Sequence, residues 1–456
     1  MQNKLETWMA DLFMPALDWV LQRQKHLVVE TTKVGIVNNA LSYLTGCTTK
    51  AAFTYGIILG LGSNFKYELR KEFTTTIMSQ AGERGSDPNV LLNYFDSQKQ
   101  AWGAFIQEQQ TFQFQEFHSP EAPPLVLTPS IQKDIAIIKP LLEKNESFVL
   151  CGPEGCGKNL IITSLIKQMK STQMAVIHCN AQTSATSVIQ KLNAMCAQST
   201  NSQGRVYRPK ECQRLIIYLK DINLPQPDKY DTIQLISFLQ QIVCYQGFYD
   251  TNLDFVSMER ITIVASMNPS TTIGRHRISS RFTANVKLAY MDYASQEELL
   301  PVYNLYLKTV LGHPRLGGGK LAGSTRRLAS FLIDVFGAVK QRFSVDDHRH
   351  YLFTPRMVTT LIFQLLRYEI PDAGPLIASL VYESQRVYRD RLVDRPSKKA
   401  FDQILFKHVQ NDLKFPVNKL EDVYFLSKIT QGQESALPGI PNMGRIPRQD
   451  YMQLID

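Results

Sequence analysis

Gly152-Pro153-Glu154-Gly155-Cys156-Gly157-Lys158-Asn159-Leu160 carries the spacing G-x-x-x-x-G-K. It follows a short apolar run, Ser147–Cys151, and precedes a helical pattern that starts near Lys158. Glycines so placed let backbone N–H groups turn inward around phosphate oxygens. The lysine brings positive charge to the β and γ phosphates, and the helix N-terminus adds its dipole. The plainer reading is a glycine-rich strand-to-helix turn with an exposed lysine. The strand before and the helix after favour a loop that binds ATP or ADP. The loop departs from the usual pattern at its end, where a Ser or Thr hydroxyl ligates Mg2+. Here the residue is Asn159, whose amide oxygen is a less compact ligand, and Thr163 and Ser164 lie beyond. Phosphate binding is therefore expected ahead of metal-assisted hydrolysis.

A strand that carries a second acidic site should end in two acids, the first holding Mg2+ and the second orienting the attacking water. The strand Leu215–Leu219 ends in Lys220-Asp221. Either Asp221 polarises water with a side chain one methylene shorter than Glu, or Lys220 occupies the place of the metal charge. The second case leaves a site that binds nucleotide and turns it over slowly or not at all. Together with Asn159 this is the reading preferred here, and any Mg2+ would rest on Asn159 and Asp221. Asn268, at the tip of the run Ile261–Ser266, could hydrogen-bond the γ-phosphate or the attacking water; an Asn-Pro turn is the alternative.

Just beyond lie Arg275, His276, Arg277 and Arg281. An arginine there could act on a neighbour's nucleotide, or the loop could be merely basic and solvated. Arg356, at a helix start, could reach a γ-phosphate from a lid, against a surface ion pair. Asp346, Asp347, His348 and His350 match no metal signature and read as a polar turn. His178-Cys179 ends a strand and reads as core.

These residues need a scaffold. Ser147–Cys151, Ala175–His178, Leu215–Leu219 and Ile261–Ser266 are short buried-type strands that alternate with helical patterns. They predict an α/β fold with a parallel sheet flanked by helices. A helix is expected from Thr128 or Ser130 to Leu142. Residues 1–118 read as mostly helical, with Ile36, Leu41 and Leu44 among the apolar positions, and His118–Pro124 is a Pro-rich break. After about Ser295 the pattern turns helical again: Leu299–Val310, Leu328–Phe343, Pro355–Tyr368 and Pro375–Leu392, with a flexible stretch at Gly312–Ser324. Residues 416–456 read as an extended connector.

The 456 residues are 44% hydrophobic and 20% charged, which excludes a disordered or low-complexity chain. Seven cysteines without a C-x-x-C pair give neither a disulfide framework nor a zinc finger, and reduced thiols in a cytosolic protein are expected. The net charge of +9 is spread without a dense basic tract, which argues against nucleic acid. No signal peptide or membrane span is read, so a soluble chain without a membrane partner is expected.

The order of these motifs resembles an AAA+ P-loop NTPase unit, and more closely the dynein heavy chain. Asp221–Pro225, Pro227–Tyr230 and Tyr245–Tyr249 look like the dynein segment after the second acidic site with its insert. Ser279–Phe282 with Asp292-Tyr293 looks like its arginine-finger region, and Tyr351–Arg356 like its lid motif. The wording GPEGCGK, YLKDINLPQPDK and FLQQIVCYQGFYD is similar to the third AAA+ unit of the dynein of retrograde intraflagellar transport, and Tyr55–Asn64 to the lid end of a preceding unit.

The resemblance implies the following layout. Residues 1–118 are the helical lid end of the preceding unit, 119–298 the large α/β nucleotide-binding subdomain, 299–415 a small helical lid subdomain, and 416–456 a connector toward the next unit. It implies phosphate and nucleotide contacts at Gly152–Leu160 and Arg356. It gives catalytic roles to Asp221 and Asn268, with Arg281 acting in trans on the preceding unit's nucleotide. The partners implied are neighbouring AAA+ units, with intermediate and light chains and microtubules reached through other regions of a much longer chain. The location implied is the cytoplasm, cytoskeleton and cilium. Two other readings stay open: a structural ring module with a vestigial pocket, and an independent ATP-dependent remodeller.

Overall fold

The computed structural model describes residues 2–117, 122–201, 204–250, 252–316, 319–414, 424–428 and 442–446. The chain falls into two compact units. One joins Met1–Gln107 to Pro129–Tyr293, the other Glu108–Thr128 to Ala294–Asp456.

The first unit is built on five parallel strands: β1 (Phe148–Cys151), β2 (Thr172–His178), β3 (Arg214–Lys220), β4 (Ile261–Met267) and β5 (Lys287–Tyr290). They lie in the order β5-β1-β4-β3-β2. β1, β4 and β5 are buried along their whole length, as a sheet covered on both faces requires, and their Val, Ile and Leu content follows from that. Helices Pro129–Glu143, Lys158–Gln168, Ala185–Met195 and Gln234–Tyr245 flank the sheet. The α/β fold expected from the sequence is therefore present, and the second unit is a separate, mainly helical one. Four strands match the predicted runs. β5 does not show in the sequence, because it is short and starts on Lys287.

Residues 1–107 pack into this unit and cap the open side of β5. Asn39 Nδ2 donates to Leu288 O (3.3 Å) and Asn39 Oδ1 accepts from Leu288 N–H (3.1 Å). Ser63 Oγ donates to Leu288 O (2.9 Å), and Tyr290 N–H donates to Ser63 O (2.8 Å). Lys287 Nζ donates to Asn38 O at 2.9 Å. A strand edge otherwise left with free N–H and C=O groups is thus satisfied.

Gly60 permits the crossing of helices Lys33–Leu44 and Lys50–Gly62, since a Cβ there would lie 2.5 Å from Ala40 Cα. The buried row on the first helix is Ile36, Ala40 and Leu44; Leu41, expected inside, is 48% exposed. The segment is also less helical than expected, because Asn93–Asp96 and Ala101–Ala104 form an antiparallel hairpin.

Several other expectations need correction. Cys196–Asn201, Gly204–Pro209, Gly247–Tyr249 and Phe255–Met258 form a second, four-stranded sheet that the sequence pattern hides. His178 is exposed, not core; only Cys179 beside it is buried. In the second unit, helices Gln296–Leu311, Thr325–Arg342 and Pro355–Gln364 match the predicted ones to within a few residues, while the one expected over Pro375–Leu392 is α-helical only over Ala373–Ser384 and continues as a π-helical turn, Gln385–Arg389. A further helix, Arg395–Asp412, escaped notice because it buries only Phe401, Leu405 and Val409. Within the expected connector, Tyr424–Lys428 and Asn442–Ile446 pair as antiparallel strands, and the rest of 416–456 lies outside the described residues. So do His118–Glu121 of the Pro-rich break.

Candidate functional site

Because the five strands run parallel, their C-terminal ends open on one rim. β1 delivers Gly152, β3 delivers Asp221, β4 delivers Asn268 and β5 delivers Met291. The register sets Cys151 beside Met267 and Tyr290, and Lys220 beside Ser266 and His178.

The loop Gly152–Gly157 turns through two left-handed glycines, Gly155 (φ +77°) and Gly157 (φ +103°). Gly152 is required by space: a Cβ would meet Met291 O at 2.5 Å and Cys156 Sγ at 3.0 Å. Tyr293 Oη donates to Glu154 O (2.6 Å) and fixes the outer side of the loop. Lys158, 8% exposed, opens the following helix. Its Nζ donates to Gly152 O (2.7 Å), Pro153 O (2.8 Å) and Asn268 Oδ1 (2.9 Å). Two residues 110 positions apart, both picked from sequence, thus meet directly. Burial pushes the Cys151 thiol up to about 12 and raises that of Cys156, so both stay protonated beside the loop.

Asn268 is itself held. Its carbonyl accepts from Asn223 Nδ2 at 2.8 Å, and Asn223 is fully buried. Asn223 O in turn accepts from His276 N–H at 3.0 Å. Asp221 sits in the left-handed region (φ +58°), which Asp tolerates better than most residues. Its carboxylate faces the Arg275 guanidinium at 3.4 Å, with the Arg275 side chain 12% exposed. Lys220 shares the face of β3 that carries Tyr218, its Nζ 6.0 Å from the ring centre. Among these residues of the rim, three buried polar atoms have no hydrogen-bond partner: Asn159 Oδ1, Asn223 Oδ1 and Arg275 Nη1.

Arg281 is exposed on the short helix Ser280–Thr283, anchored by buried Phe282 and Thr283. Arg356 is exposed at the start of Pro355–Gln364, in the second unit. Asp346, Asp347, His348 and His350 are exposed in a turn. Among the described residues no group of three or more His, Cys, Asp or Glu side chains could hold a metal ion, and no helix is long and apolar enough to cross a membrane. Asn223 and the role of Arg275 were not found from sequence. The only signal for Arg275 was a charge in a loop of small residues after Asn268.

Comparison with known proteins agrees with this architecture. The profile of the P-loop containing dynein motor region matches residues 122–293, and that of the dynein heavy chain ATPase lid domain matches 306–398. The profile of the cytoplasmic dynein 2 heavy chain 1 AAA+ ATPase domain matches residues 1–81. Cytoplasmic dynein 2 heavy chain 1 of Tripneustes gratilla is 38% identical over 100% of the chain and 11% of its own length. The Homo sapiens protein of that name is 39% identical over 90% of the chain and 10% of its own length. The Caenorhabditis elegans one is 30% identical over 99% and 10%. The chain is homologous to the AAA+ and lid region of cytoplasmic dynein 2 heavy chains. It spans about a tenth of the length of these relatives.

Proposed function

We propose that this chain is a nucleotide-binding, regulatory AAA+ unit, the third in the ring of a cytoplasmic dynein 2 heavy chain. The motor it serves is ATP-driven, minus-end-directed on microtubules, and acts in retrograde intraflagellar transport in cilia. Its boundaries are those the sequence suggested: a preceding lid end at 1–118, a large subdomain at 119–298 and a lid at 299–415. The contact of Lys158 with Asn268 across the loop mouth carries this reading, because it sets a phosphate-binding cation against a residue able to sense the γ-phosphate. In this reading Gly152–Leu160 and Arg356 bind ATP or ADP, and Arg281 serves the nucleotide of the preceding unit.

Hydrolysis at this unit is slow or absent. Lys220 stands where the first acid would be, and Asp221 faces Arg275. The unit then acts on the motor through which nucleotide it holds. Its partners are the neighbouring AAA+ units, with intermediate and light chains and microtubules engaged by other regions.

The test is binding and turnover measured on a protein that joins this chain to the following AAA+ unit. Tight nucleotide binding lost in Lys158→Ala, without steady-state phosphate release, is expected. Rapid turnover abolished by Asp221→Asn would refute the claim of impaired hydrolysis. Absence of binding would leave a structural module.

A further inference from the structure

The geometry points to a phosphate loop that takes its nucleotide without a divalent cation, Arg275 supplying charge that a metal supplies in other such loops; this rests on the nucleotide reading above. Mg2+ demands near-octahedral oxygen coordination. It obtains this from a loop hydroxyl, one or two carboxylates, water and the phosphates. The donors here do not fit that demand. Asn159 holds the hydroxyl position and Lys220 the first carboxylate position. The remaining carboxylate, Asp221, is engaged by Arg275 at 3.4 Å. What is left is two neutral amide oxygens, Asn159 Oδ1 and Asn223 Oδ1, and the second oxygen of a carboxylate already shared with a guanidinium.

The charge balance agrees. A loop lysine facing two carboxylates is net negative and needs a cation before it can accept phosphates. At the β3 and β4 tips Lys158, Lys220 and Arg275 outnumber Asp221, while Asp292 faces the loop from the side of Cys156. Arg275 also keeps a donor to spare for an anion. One nitrogen, Nη2, meets Asp221, while Nη1 is buried and has no partner. A buried donor left open in this way is costly, and a phosphate oxygen would satisfy it. The Arg275 loop belongs to the same hydrogen-bonded chain as the loop lysine: Lys158 to Asn268, Asn268 to Asn223, and Asn223 to His276. Arg275 is thus a positioning residue for Asp221 and a fixed cation for the nucleotide.

The test titrates the full 456-residue chain with the fluorescent nucleotide mant-ADP, in EDTA and in Mg2+. The wild-type Kd should agree in the two buffers within about twofold. Arg275→Ala should weaken binding in EDTA about tenfold, the scale of one charge-assisted contact, and Mg2+ should restore part of it. Arg275→Lys should stay metal-independent. Circular dichroism checks the fold of each variant, and Arg275→Gln replaces the alanine variant if that one does not fold. Wild-type binding lost in EDTA overturns the inference and leaves the nucleotide reading standing. So does a folded alanine or glutamine variant that binds like wild type, or one that Mg2+ does not help. No binding by wild type in either buffer, with Lys158→Ala indistinguishable from it, removes the nucleotide reading and this inference with it.

Discussion

Replacing Arg70 by Met should destabilise the first unit by about 3–5 kcal/mol. Arg70 is 6% exposed. Its Nε donates to Gly62 O at 3.2 Å, and its Nη2 donates to Ser63 O at 2.6 Å and Tyr290 O at 2.7 Å. Bonds from a charged donor contribute about 1.5–3 kcal/mol each, so the three together give roughly 4.5–9 kcal/mol. Burial of the guanidinium opposes this by several kcal/mol. It lowers the pKa of Arg70, while the nearby carboxylates of Asp134 and Asp292 act the other way. Met removes the desolvation cost together with the three charged bonds; Ser63 O keeps Tyr290 N–H (2.8 Å) and Gly62 O keeps Phe65 N–H (3.3 Å), so Tyr290 O is the carbonyl that loses most, at about 1–3 kcal/mol. The balance falls in the range for breaking a buried charged contact. For a unit of this size that is a fall in melting temperature of about 6–20 °C. The fluorescence of Trp19, packed on Phe65 and Phe73, would follow the unfolding. Arg70→Lys should recover less than half of the loss, since one ammonium cannot reproduce the fork. A loss below about 1 kcal/mol for Arg70→Met would refute the reasoning, because the cost of burying the guanidinium would then equal what its three bonds return.

Gly152→Ala should push the loop off Met291 O, cost about 1–3 kcal/mol of stability by thermal melt, and lower mant-ADP affinity in parallel. Gly60→Val should force its helix away from Ala40 and destabilise the first unit by at least about 2 kcal/mol in urea titrations; an unchanged midpoint would contradict the close approach. Tyr368→Phe removes the donor, at 2.5 Å, to the nearly inaccessible Glu383 carboxylate and leaves it Arg386 at 3.3 Å. Hydrogen exchange in Ala373–Ser384 should rise by an amount corresponding to about 1–3 kcal/mol. Lys220→Asp alone should not create steady-state phosphate release, because Asp221 keeps its arginine; measurable turnover in that variant would count against the pairing.

The sequence revealed most where burial forces a simple pattern. β3 and β4 are runs of Leu, Ile and Val because both faces are covered, so they stand out. β5 is legible only in three dimensions: Lys287 buries its stem and spends its ammonium on Asn38 and Glu146, which no local pattern encodes. The sheet strand Cys196–Asn201, reading CAQSTN, is polar enough to pass for a loop. In the site, the glycine spacing and strand tips identified Lys158 and Asn268. Asn223 and Arg275 take part through contacts across 45 and 54 residues, set by the way the β3 and β4 tips converge, and spacing has nothing to say about them.

The capping of β5 by Asn39, Ser63 and Arg70 has a practical consequence for anyone dividing this chain. The boundary drawn by sequence similarity at residue 122 separates the sheet from the segment that closes its side. A protein begun there would carry an uncovered β5, including its Leu288 and Tyr290 backbone groups, as a template for intermolecular strand pairing. It would be expected to precipitate or form oligomers, and the natural unit of solubility is the tandem that keeps residues 1–107 attached.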